Sequence, residues 1–87
     1  MAAQKFNPVE LTAAQLRAAR QLIGWHATDL AEKAGVGVAT IRRAELCQGV
    51  TDMKPETAEK VVKAFARHGL VFYGADRFGG AGVRLKR

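Results

Sequence analysis

Apolar residues recur at helical spacing along four stretches of this chain, then switch to strict alternation near its end. Leu16, Ala19, Arg20 and Ile23 share one face of a helix that starts at Thr12 and runs to about Ile23. Thr12 with Gln15 three residues on has the form of a capping box, and Leu11 before the cap can pack on Leu16 as a hydrophobic staple. Gly24, lacking a Cβ, suits the left-handed conformation that ends a helix. A second stripe of Ala27, Leu30, Ala31 and Ala34 predicts a helix from about Ala27 to Ala34, with Asp29 and Glu32 near its positive end. A third stretch, about Val38 to Cys47, places Ile41, Ala44 and Glu45 at i, i+3 and i+4. Pro55 opens a fourth, whose apolar face is Ala58, Val61, Val62 and Phe65, and Gly69 is expected to cap it. Leu70–Tyr73 and Gly82–Lys86 read as two short strands joined by a glycine-rich loop; in the second, Val83 and Leu85 alternate with Arg84 and Lys86.

The period thus divides the chain into an arm over residues 1–10, containing Pro8 and showing no pattern, a helical unit over 11–69, and a hairpin with a basic tail over 70–87. The fold class is mainly α, with a short C-terminal β-hairpin. Within the helical unit, the second and third helices are separated only by Gly35-Val36-Gly37, so they must cross steeply. Small residues at 31, 34 and 44 let their axes come close, which is the physical content of a helix-turn-helix. A lone two-stranded hairpin is marginal in water. It must lie on its own helices, pair with or swap onto another copy through Leu70, Phe72, Tyr73, Val83 and Leu85, or stay partly mobile.

Composition narrows the function. With 87 residues there is room for one small domain, and an apolar fraction of 48% is that of a globular chain. No apolar run is long enough to span a bilayer, and the amino end lacks the order of a signal peptide, so a cytoplasmic setting is expected. The single cysteine, Cys47, excludes an internal disulfide. His26, His68 and Cys47 have no metal-ligand spacing, so no metal and no other cofactor are expected. No nucleophile–base pair or carboxylate pair marks an enzyme. The net charge is +6, and half of that excess lies in the last eighteen residues, where Arg77, Arg84, Lys86 and Arg87 face only Asp76. Such a surplus favours polyanions without naming one.

The segment LTAAQLRAARQLIGWHATDLAEKAGVGVATIRRAE, with the later helix PETAEKVVKAF, resembles the Cro and lambda-repressor-like (XRE) helix-turn-helix family of bacterial and phage regulators. Asp29-Leu30-Ala31, Ala34-Gly35-Val36 and Thr40-Ile41-(x)3-Glu45 stand at that family's spacing, and GLVFYGADRFGGAGVRL looks like a tail seen on its small bacterial members. The resemblance implies a bundle of four or five helices that binds double-stranded operator DNA, usually as a homodimer on a two-fold site. The helix from Val38 would lie in the major groove, and the start of the helix at Ala27 would face a phosphate. Arg20 and Glu45 match a family pair that bridges the first and third helices.

Departures from the family pattern weaken the expected reading of bases. Ala27 stands where Gln or Ser is frequent, and Gly37 replaces a capping Ser or Thr. Val38 and Ala39 occupy recognition positions that are commonly polar; they can pack on a thymine methyl but cannot form paired hydrogen bonds. The remaining candidates for DNA contact are Thr40, Arg42 and Arg43 on the helix, and Gln48 and Lys54 in the loop after it. Modest sequence specificity is expected. The alternative is a protein-interaction module, an antitoxin paired with a toxin or a phage-derived adaptor, suggested by the apolar Val38 and Ala39 and the apolar strand Leu70–Tyr73.

Overall fold

The computed structural model describes residues 6–86. Four α-helices, α1 (Ala13–Ile23), α2 (Ala27–Ala34), α3 (Val38–Glu45) and α4 (Pro55–Ala66), precede an antiparallel hairpin of β1 (Leu70–Tyr73) and β2 (Gly82–Leu85). Residues 1–5 of the expected arm, and Arg87 of the tail, lie outside the described residues. The inner half of that arm has structure the sequence pattern did not predict. Pro8–Glu10 form a 3-10 turn capped by the Asn7 side chain, and the Phe6 ring stacks on Phe72 with centroids 5.5 Å apart. Proline at the first position of such a turn sacrifices no hydrogen bond.

The start of α1 carries the capping box in full. Thr12 Oγ1 accepts from the Gln15 N–H at 3.0 Å, and Gln15 Oε1 accepts from the Thr12 N–H at 2.9 Å. The Gln15 amide then donates to the carbonyls of Tyr73 at 2.8 Å and Gly82 at 2.9 Å. One buried glutamine therefore both caps α1 and clasps the hairpin. Between α2 and α3, Gly35 sits at φ 72°, in the left-handed region that favours glycine, and makes the sharp reversal of the turn.

Two boundaries differ from the pattern. α3 ends at Glu45 rather than Cys47, because the chain tightens into i→i−3 bonds from the N–H groups of Leu46 and Cys47. The loop beyond is then tied to the start of α1, Gly49 O accepting from the Ala13 N–H and Leu11 O from the Thr51 N–H. α4 closes at Ala66 with Arg67 as its cap, so Gly69 serves instead as the left-handed turn into β1, at φ 87°.

All four α-helices feed one core. Leu11, Leu16, Leu30, Ile41, Val61 and Phe65 are fully buried, and the Phe65 ring lies 5.6 Å from Trp25 and 5.7 Å from Phe72. The strand register pairs Leu70 with Leu85 and Phe72 with Val83 on the same face. That face packs onto the helices. Leu70 and Phe72 are each only 3% exposed, so the hairpin folds back on its own chain, and these two side chains present no surface to a second copy. Tyr73, Val83 and Leu85 are half-buried, with Val83 and Leu85 packed against the same core. The physical cause is a long-range contact: buried Gln15 supplies two donors that the carbonyls of Tyr73 and Gly82 accept.

Candidate nucleic-acid interface

α3 is held against the body by its inner side and by its end. Ile41 and Ala44 are buried, and Glu45 turns back to Arg20 of α1. The Arg20 Nε and Nη2 groups donate to the two Glu45 carboxylate oxygens at 2.5 and 2.7 Å, with side chains 16% and 11% exposed, and Nη1 donates to Trp25 O. These bonds to Glu45 raise the Arg20 pKa further above its ordinary value, against the opposing effect of burial. A second arginine reaches the same end: Arg17 Nη1 donates to Glu45 O at 2.6 Å. The C-terminal carbonyl that α3 leaves without a helical partner is thereby satisfied.

The residue before α2, its N-cap, is an exposed His26, whose N–H donates to Asp29 Oδ2 at 2.8 Å. That backbone bond is the main reason the Asp29 carboxyl is held below its ordinary value of 3.8, and the imidazole of His26 adds to it. A carboxyl depressed on folding contributes stability above its unfolded value, and that contribution disappears as pH falls through the folded value. Asp29→Asn, which keeps an oxygen acceptor but cannot titrate, is expected to flatten the fall of thermal midpoint below about pH 4. Circular dichroism melts across that range check it; an acid limb identical to that of the unmodified chain would contradict the assignment.

Between α1, the start of α2 and the outer side of α3 lies a shallow depression of about 560 Å³, lined by Arg17, Arg20, His26, Ala27, Thr28, Arg42, Glu45 and Leu46. Beyond α3 on its other flank, Thr40, Arg43, Asp52, Met53, Lys54 and Thr57 line a smaller one of about 290 Å³. The expected contact residues are thus divided. Ala27 and Arg42 line the first depression; Thr40, Arg43 and Lys54 line the second; Val38, Ala39 and Gln48 line neither. Val38 is half-buried and packs against the core, whereas Ala39 and Gln48 are exposed. Arg42 is exposed, and no carboxylate among the described residues pairs with it. Arg43 is also exposed, but its Nε lies 3.3 Å from Asp52 Oδ2. Arg17, His26, Thr28 and Leu46 were not legible as site residues. Leu46 is the surprise, a leucine 83% exposed at the mouth of a basic depression.

A family model described as Helix-turn-helix matches residues 16–69, from α1 through the end of α4. The chain belongs to the helix-turn-helix family. No curated protein and no solved structure matches it. Membership supports the Cro and lambda-repressor-like reading of the sequence: a mainly α bundle with a C-terminal hairpin, in which α2, the Gly35–Gly37 turn and α3 form the helix-turn-helix. This is a family of DNA-binding transcriptional regulators and not typically of enzymes, and DNA-binding regulation is the kind of function the chain has. Among the described residues, no helix is long and apolar enough to cross a membrane.

Proposed function

We propose that the protein reads duplex DNA as a homodimer, with α3 in the major groove and two half-sites spaced one helical turn or a multiple of it apart. The observation that carries the reading is Arg42, exposed, paired with no carboxylate among the described residues and set beside the start of α2 in the larger depression. α3 offers few hydrogen-bond donors, because Val38 and Ala39 carry no polar side-chain group and Arg43 is engaged by Asp52. Specificity is accordingly modest, resting on apolar contact from Ala39, on Arg42 and on DNA shape. Lys54, Gln48 and Thr40 contact or flank the backbone on the far side of α3.

Selection of bound duplexes from a random library at about 0.15 M salt tests this directly. A palindromic motif supports the dimer, and sedimentation of the intact chain measures its state. Arg42→Ala is expected to weaken binding to the selected duplex about tenfold, within the range of about 1–3 kcal/mol for one good contact. Unchanged affinity in a gel-shift titration would remove Arg42 from the interface.

One observation favours a second reading. Leu46, exposed beside Ala39's helix, gives the same face an apolar element suited to a protein partner such as a toxin. Copurification with the product of an adjacent reading frame would support it, and a library selection yielding a strong motif from the chain alone would count against it.

A further inference from the structure

We propose that Arg17, on α1 and outside the helix-turn-helix itself, is a DNA-backbone contact: a phosphodiester seated in the larger depression meets Arg17 from α1 and Arg42 from α3. The inference deepens the DNA reading above and rests on it.

Three observations converge on this residue. First, the cations around α3 are not equivalent. Arg20 is consumed by Glu45 and Arg43 by Asp52, whereas neither Arg17 nor Arg42 has a carboxylate partner among the described residues. Second, those two unpaired guanidiniums line the same depression, together with the exposed Thr28 at the start of α2 and the exposed Leu46. Among the described residues the one carboxylate lining that depression is Glu45, which is already bound to Arg20. The site therefore has an uncompensated positive charge in a concave surface, which is what an anionic strand requires. Third, Arg17 is already oriented. It is exposed, and one of its five N–H groups is spent on Glu45 O at 2.6 Å, leaving the others for a ligand. Anchoring the side chain before DNA arrives removes part of the rotamer entropy that a free lysine loses on binding. Leu46 gives the same seat an apolar wall against which a deoxyribose can pack.

A contact of this kind reads no base. It must strengthen binding to every duplex alike and add one cation to those displaced from the DNA. A merely structural Arg17, bracing the end of α3, would do neither. Two variants separate the roles. Arg17→Gln keeps an amide that can donate to Glu45 O but loses the charge, and Arg17→Lys keeps the charge.

The experiment is fluorescence anisotropy of the full chain with a selected duplex and a scrambled one of equal length, across a salt series, alongside a thermal melt of each variant. Arg17→Gln is expected to bind both duplexes about fivefold more weakly at 0.15 M salt, with a salt slope shallower by about 0.9. Arg17→Lys is expected to keep the slope of the unmodified chain. An unchanged slope for Arg17→Gln overturns the contact, and so does a loss confined to the selected duplex. A shallower slope for Arg17→Lys overturns it as well, because the effect would then follow the guanidinium brace rather than the charge. Failure of the unmodified chain to bind any duplex overturns the DNA reading itself, which is distinguishable from the failure of Arg17 alone.

Discussion

A chain carrying Glu45→Ala is expected to melt about 12–24 °C below the unmodified one, for a loss of about 3 kcal/mol. The cause is the guanidinium left behind. Arg20 sits 16% exposed with two of its N–H groups on the Glu45 carboxylate and a third on Trp25 O. Removing the carboxylate leaves a charge that water reaches poorly, and a charge stranded in that way costs several times what an exposed pair contributes. The slight exposure of both partners puts the expected loss at the lower end of the range for buried pairs. Replacing both residues with apolar ones of similar volume, as in Arg20→Met with Glu45→Met, is expected to recover much of the loss, because no charge is left unpaired. Scanning calorimetry of the three chains decides it. A single variant that melts within a few degrees of the parent would show that the bridge adds little.

Truncation after Gly69 is expected to abolish cooperative unfolding. The hairpin looks like an appendage in the sequence, yet Leu70 and Phe72 are part of the core, each 3% exposed, and Phe72 is an aromatic neighbour of Phe65. Burial of two such side chains is worth about 3–6 kcal/mol. A domain of this length has only about 4–13 kcal/mol in total. Truncation also exposes Phe65 and leaves the Gln15 amide without its two carbonyls. Loss of a sigmoidal melt and of dispersed amide resonances is the expected result; a truncated chain that melts as the parent does would contradict it. Oligomeric state must therefore be measured on the intact chain, since the shortened one would report unfolding instead.

Much of the fold is legible because its signals are local. The Thr12–Gln15 box, the turn at Gly35 and the proline opening α4 each act within a few residues, and each stands where the sequence puts it. The Arg20–Glu45 bridge is legible by resemblance and by facing. What the sequence hides is decided at long range. Nothing in the helical period of α3 stops it at Glu45, where the chain tightens into i→i−3 bonds before the following loop is tied to the start of α1. The alternation of β2 shows which side chains share a face but not which body that face rests on. Among site residues, Arg43 has its partner Asp52 in an irregular loop, where no spacing rule applies. Arg17 lies one turn before Arg20 on α1, so its direction could have been inferred, but its freedom from carboxylates could not.

The clasp at Gln15 also fixes alignment. Both of its amide protons are committed to carbonyls facing one another across the mouth of the hairpin, in a position 2% exposed. Sliding one strand by a single residue would turn Val83 and Leu85 outward and swing a carbonyl away, leaving a donor dry and unmatched. A helix-start residue near one end of the chain thus acts as the gauge that sets how two strands near the other end are paired.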